Sequence, residues 1–161
     1  MVILIMGVSG SGKTTIGEAL ASELSWKFRD ADEFHPAVNV EKMRQGIPLN
    51  DDDRRLWLQA LRHAIDTAVQ TNANLIVACS ALKAAYRQRL SEQSNLVKFV
   101  YLKGSFELIE HRLKQRQGHY MKANLLRSQF NALEEPNDAI EVEVDQSPSA
   151  IAQQIKSCLH L

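Results

Sequence analysis

The sequence is poor in the residues that would commit it to a specialised class. It has two cysteines, Cys79 and Cys158, too few and too far apart for a disulfide framework or a zinc site. Cys79 closes an apolar run and Cys158 falls on a helical face, so both read as core residues of a cytoplasmic protein. Net charge is lacking as well: 19 acidic residues balance 19 basic ones. That balance excludes a broad polyanion-binding surface, and with it nucleic acid as a partner. No apolar run approaches the ~20 residues of a membrane span, and the apolar N-terminal stretch has no basic leader of the kind that marks a signal peptide. Repeats, low-complexity segments and linkers are missing too. A single domain over residues 1–161, large enough to bury a sizeable core, is what these absences leave.

What is present begins at once. Gly7-Val8-Ser9-Gly10-Ser11-Gly12-Lys13-Thr14 fits the phosphate-binding loop pattern, Gly, four residues, then Gly-Lys-Ser/Thr, at every fixed position. Small residues let successive backbone N–H groups turn inward around a polyphosphate. Lys13 would reach the outer phosphates, and the Thr14 hydroxyl would ligate the Mg²⁺ that bridges them. Upstream, Val2 to Met6 is apolar throughout, as a strand covered on both faces would be. Downstream, Ile16, Ala19, Leu20 and Leu24 recur at helical spacing. The loop therefore joins a buried strand to a helix N-terminus, where the dipole favours anions.

Strand-like runs alternate with helical patterns along the rest of the chain, which predicts an α/β fold with a five-stranded, mainly parallel sheet flanked by helices. Trp26 to Asp30 alternates as an edge strand does, and so do Ile140, Val142 and Val144 with their acidic neighbours. Leu75 to Cys79 and Val97 to Leu102 read as central. Asp51 or Asp52 is expected to cap a long helix with Leu56, Trp57, Ala60, Leu61, Ala64, Ile65, Ala68 and Val69 on its apolar face. Ser80, Ser105 and Ser147-Pro148 are expected to open further helices, and another ends before Pro136. Two segments do not read as scaffold: about 32–55, polar throughout, and about 112–122, basic and glycine-containing. Both should lie at the C-terminal ends of the strands, beside the phosphate loop.

Phosphoryl transfer needs positioning, a metal and positive charge. Asp30 and Asp32 close the second strand, and two-residue spacing sends both carboxylates to one side of an extended backbone. One would serve the metal; the other would take the proton of an attacking hydroxyl. His35 is open between a structural and a functional role. Asp51, Asp52 and Asp53 point in different directions on a helical turn, so they suit capping and pairing better than metal binding. Arg54 offers a planar fork that matches a substrate carboxylate. Arg112 and Arg116, one turn apart, suit a mobile lid, and one of Lys83, Arg87 and Arg89 is expected to face the cleft.

Asp30-Ala31-Asp32-Glu33-Phe34-His35-Pro36 with Asn39, Lys42 and Met43, Gly46 to Arg54 with Trp57-Leu58, Cys79-Ser80-Ala81-Leu82-Lys83 with Tyr86-Arg87, and Gly118-His119-Tyr120-Met121 with Ser128-Gln129-Phe130 together resemble the gluconokinase family over nearly the whole chain. The resemblance implies an alcohol-directed phosphotransferase that moves the γ-phosphate of ATP to the 6-hydroxyl of D-gluconate, in sugar-acid catabolism. It implies a three-layer P-loop kinase fold similar to shikimate and nucleoside-monophosphate kinases, with a substrate-binding insert, a lid and a homodimeric state. It places ATP on Gly7, Val8, Ser9, Gly10, Ser11, Gly12, Lys13, Thr14 and Thr15, with Arg112, Arg116 and Pro148; Mg²⁺ on Thr14 and Asp30; and gluconate on Asp32, His35, Arg54, Lys83, Arg87 and Gln129. Lys13, Asp32 and Arg116 would be catalytic. Thr15 where a Ser-Thr pair is usual, Leu56 for a common proline and Tyr120 for a frequent phenylalanine are the departures. Two other readings compete: a kinase for another hydroxy acid such as shikimate, and a nucleotide-dependent switch. The switch lacks an Asn-Lys-x-Asp guanine motif, and Leu90-Ser91-Glu92-Gln93 only begins like an ABC signature.

Overall fold

Five runs pair into one wholly parallel sheet: β1 (Val2–Met6), β2 (Lys27–Asp30), β3 (Leu75–Ala78), β4 (Val97–Lys103) and β5 (Ile140–Glu143), in the order β2-β3-β1-β4-β5. The computed structural model describes residues 1–92, 94–115 and 123–161. The two alternating runs form the two edges, and the continuously apolar ones lie inside. The reason is visible in β1, every residue of which is buried. Val2, Leu4 and Met6 enter one apolar cluster, while Ile3 and Ile5 enter the other, as the two-residue period of a strand requires.

Helices cover both faces. Helix α3 (Asp51–Gln70) lays Trp57, Leu61 and Ile65 on the first cluster, with Leu90 of α4 (Ala84–Ser91). On the other face α1 (Lys13–Leu24) supplies Ile16 and Leu20, α5 (Phe106–Gln115) supplies Ile109 and Leu113, and α7 (Pro148–Leu159) supplies Ile151 and Ile155. Leu126 of α6 (Ala123–Ala132) joins them. Helix α2 (Ala37–Arg44) lies in the polar segment. Gly17 of α1 is pressed against β2: a Cβ built there would stand 2.5 Å from Cε2 of Phe28. Among the described residues no helix is long and apolar enough to cross a membrane.

Several local expectations change. The cap of α3 is Asn50, not Asp51 or Asp52. Its side chain accepts from the Asp53 amide at 2.8 Å while Asp53 accepts from the Asn50 amide at 3.1 Å, a reciprocal capping box. Leu56 and Ala60 are exposed rather than inward. Ser80 caps nothing; α4 begins after Lys83, and its Ala84 amide donates to Glu134 at 2.6 Å. Ser105 and Ser147 do serve as caps. Cys158 is exposed although it lies on the same side of α7 as Ile151 and Ile155, because it falls in the last turn of the helix. The polar segment is more ordered than its composition suggests: it holds a 3-10 turn at Ala31–Phe34, helix α2 and the start of α3. Of the expected lid, Arg112 to Gln115 form the last turn of α5, and 116–122 lie outside the described residues.

Candidate active site

The loop between β1 and α1 is built for close approach. Gly10 has φ +81°, and a Cβ there would lie 2.8 Å from Cγ of Leu113, so a side chain would be both strained and obstructed. Gly12 stands at the N-cap of α1 and brings no side-chain cap, which leaves the first amides of the helix free to meet an anion. Lys13 Nζ donates back to the Val8 carbonyl at 2.9 Å. Burial lowers the pKa of its ammonium, against the opposing pull of the Asp32 and Asp30 carboxylates, which places all three groups within electrostatic reach. The Ser11 hydroxyl is fully buried and, among the described residues, the one such side-chain atom without a protein partner. Such a cradle fits a polyphosphate.

Asp30 meets that cradle directly. Its Oδ2 accepts from the Thr14 hydroxyl at 3.2 Å, and its Oδ1 accepts from the Asp32 amide at 3.0 Å. The second bond corrects the extended-backbone expectation. The strand stops at Asp30, Asp32 lies in the 3-10 turn, and Asp30 caps that turn together with Glu33. Asp32 points into the open cleft with 85% of its side chain accessible. The surrounding protein and the Asp30 charge raise its pKa, while His35 and Lys13 lower it; solvent at so open a group screens much of this. Among the described residues no three His, Cys, Asp or Glu side chains group as a metal cage. Thr14 and Asp30 do supply hard oxygen donors, which suits a Mg²⁺ that takes its remaining ligands from phosphates and water.

Beyond Asp32 the cleft continues into the polar segment. His35, with 6% of its side chain accessible, lies 4.0 Å from Asp32 Oδ1 through Nε2. Its ring stacks on Trp57 at 4.9 Å and 12°, and the Trp57 indole donates to the Ala31 carbonyl at 2.7 Å. Asn39, buried, spans from His35 Nδ1 at 3.3 Å to the Asp53 carbonyl at 2.7 Å. With the Asn39 amide donating to Nδ1, the imidazole proton sits on Nε2, toward Asp32. Burial lowers the His35 pKa, Asp32 opposes this and Arg54 adds to it. Arg54 Nη1 lies 3.9 Å from Asp51, which also receives Lys83 and Tyr86. The structure therefore sets Asp32 beside His35, and brings Arg54 and Lys83 together on Asp51.

Two expected gluconate contacts are placed elsewhere. Arg87 is buried, and its Nη1 donates to the carbonyls of Ala81 and Leu82 at 3.0 and 3.1 Å. It holds a turn in which Ala81 has φ +41°, a conformation that a non-glycine residue rarely adopts. Gln129 of α6 turns to the phosphate loop: its Oε1 accepts from the Ser9 amide at 2.7 Å, and its Nε2 donates to Ser9 Oγ at 3.0 Å. Arg112 and Pro148 lie beside the loop. With Gly10, Ser11, Gly12 and Thr15 they line a cavity of about 340 Å³ that Val144, Gln146 and Ile151 complete, and Arg112 donates to the Val144 carbonyl. Arg116 lies outside the described residues. Sequence reasoning gave no role to the Trp57 ring, the Asn39 amide or the Tyr86 hydroxyl. Only their place in the quoted motifs marked them.

Comparison with known proteins places the chain among kinases. Residues 9–160 match the shikimate kinase family. The chain is 46% identical over 149 residues to the thermoresistant gluconokinase of Escherichia coli, covering 90% of this chain and 85% of that one. It is 38% identical over 156 residues to the gluconokinase of Gluconobacter oxydans, covering 95% and 88%. Among solved structures, a gluconokinase from Sinorhizobium meliloti superposes with a TM-score of 0.88 at 38% identity, covering 99% of this chain and 91% of that one. A shikimate kinase from Bacteroides thetaiotaomicron shares the fold, with a TM-score of 0.75 at 19% identity and coverage of 100% and 99%.

Proposed function

Since the chain belongs to the shikimate kinase family and, within it, to the gluconokinases, we propose that it transfers the γ-phosphate of ATP to the 6-hydroxyl of D-gluconate. The observation that carries this reading is the Thr14–Asp30 contact, which joins the phosphate loop to the carboxylates at the end of β2.

In this reading the loop amides and the first turn of α1 bind the triphosphate, and Lys13 exchanges the Val8 carbonyl for phosphate oxygens. Thr14 and Asp30 would hold Mg²⁺, which would supply positive charge against the phosphates. Asp32 accepts the hydroxyl proton, and the His35 Nε2–H orients its carboxylate. Arg54 and Lys83 hold the acid end of the substrate. Arg112 and Pro148 bound the nucleotide cavity, and Arg116 adds a lid cation. Residues 32–55 act as the substrate-binding insert and 112–122 as the lid of one domain. The protein works as a homodimer in the cytoplasm, a part of the reading supported by the family resemblance.

Initial rates with ATP and a panel of sugar acids and shikimate test the proposal. Gluconate is expected to be the best acceptor, yielding ADP and 6-phosphogluconate in equal amounts. Equal or faster phosphorylation of another acid would remove gluconate as the substrate.

A further inference from the structure

Asp51 occupies the first turn of α3 at the mouth of the cleft, with 72% of its side chain exposed. An acidic residue there needs no explanation beyond the helix dipole. Its contacts go further. One oxygen, Oδ1, receives the Tyr86 hydroxyl at 2.6 Å, the Lys83 ammonium at 3.2 Å and, at 3.9 Å, Arg54 Nη1. The donors are Arg54 of α3, Lys83 just before α4 and Tyr86 within α4, so one carboxylate gathers groups from both elements. Asp53, two residues on, turns the other way, to Lys42 and the Asn50 amide.

Two consequences follow. Arg54 and Lys83 are like charges in one corner, and each disfavours the other's approach; a carboxylate between them removes that repulsion. Lys83 is also a long side chain at the surface, whose freedom would have to be lost when a ligand binds unless something already fixes it, whereas the Tyr86 ring is already packed against the core and presents its hydroxyl to Asp51. With two cations and one carboxylate, the corner retains a single unit of positive charge, which matches one carboxylate on a substrate.

We infer that Asp51 is a positioning residue of the acid-binding corner: it holds Lys83, just before α4, and Tyr86 of α4 beside Arg54 of α3 and so preorganises the recognition of a monocarboxylate. The inference rests on the reading that gluconate is the acceptor.

The test is steady-state kinetics of Asp51→Asn, Asp51→Glu and Lys83→Met, and of Asp51→Asn combined with Lys83→Met. For Asp51→Asn the KM for gluconate should rise about tenfold, with kcat and the KM for ATP within about twofold of wild type. Asp51→Glu should recover part of the loss. In the Lys83→Met background Asp51→Asn should raise the KM for gluconate clearly less than it does in the wild type, because one of the partners through which it acts is gone. An unchanged or lower KM in Asp51→Asn, a fall confined to kcat, or an undiminished effect in the Lys83→Met background would overturn the inference. A wild-type enzyme that fails to phosphorylate gluconate would instead defeat the underlying reading, so the two failures are distinct.

Discussion

The Thr14 hydroxyl donates to Oδ2 of Asp30 across 3.2 Å, so the first turn of α1 and the last residue of β2 meet at one point. Asp30 is thereby fixed from both sides, by Thr14 and by the turn it caps. Asp32, two residues on, keeps an open carboxylate next to His35.

That division of labour makes Asp32 the group to remove. Asp32→Asn keeps the shape and loses the proton acceptor, so kcat is expected to fall about 10²- to 10⁴-fold, with the KM for ATP nearly unchanged. Rates measured with each substrate varied in turn decide this. A variant that turns gluconate over at close to the wild-type rate would assign the base elsewhere.

Arg54 lies 3.9 Å from Asp51 through its Nη1. Arg54→Ala should raise the KM for gluconate by the equivalent of about 2–3 kcal/mol, the range for a lost charge-assisted bond. The same titration of gluconate at saturating ATP reads it. An unchanged KM would move carboxylate recognition to another cation.

Gln129 satisfies both the amide and the hydroxyl of Ser9. Gln129→Ala leaves the phosphate loop without this brace, so the KM for ATP should rise by roughly five- to tenfold, on the order of one lost pair of neutral hydrogen bonds. The KM for gluconate should not move. The opposite pattern would return Gln129 to the substrate side.

His35 gives a pH signature. Burial holds its pKa below the ordinary 6.5, against the pull of Asp32. Between the folded and unfolded values the unfolded chain binds more protons, so this contribution to stability is whole above 6.5 and declines as pH falls through that window. The wild type should therefore lose more Tm than His35→Gln between about pH 7.5 and about pH 5.5. Parallel Tm profiles would show that the imidazole is not buried neutral.

Gly17 reverses a common rule. Alanine in a helix normally gains up to about 1 kcal/mol over glycine, but here its Cβ would stand 2.5 Å from the Phe28 ring. Gly17→Ala should cost about 1–3 kcal/mol as an overpacked contact between α1 and β2. Urea unfolding measures it, and a stabilised variant would mean that the ring moves aside freely.

The sheet was legible because its physics is local. A strand covered on both faces is apolar throughout, and an edge strand alternates, so β1, β3 and the two edges could be placed from residue type alone. The phosphate loop was legible for a similar reason, since small residues before a lysine leave few alternatives. Helix α2 was not, because Val38 and Val40 are exposed and no apolar stripe marks it. The turn after β2 did carry a readable signal, Asp30 and Glu33 three residues apart as a capping pair, masked by the alternation that precedes it. The partners that Gln129 and Arg87 take within the chain were not legible for another cause. These partners, 120 residues away in one case and a strained Ala81 carbonyl in the other, are set by tertiary packing.

The two thiols differ in one further respect. Cys79 is buried at the end of β3 with its pKa pushed up to about 12, whereas Cys158 is exposed on α7. A thiol reagent added to the native enzyme therefore meets one sulfur, and the second becomes reactive only on unfolding. Cys158 lies seven residues along α7 from Ile151 of the cavity wall, about 10 Å at the helical rise. The natural chain thus carries a ready attachment point for a single dye, and the count of titrated sulfurs doubles as an unfolding assay.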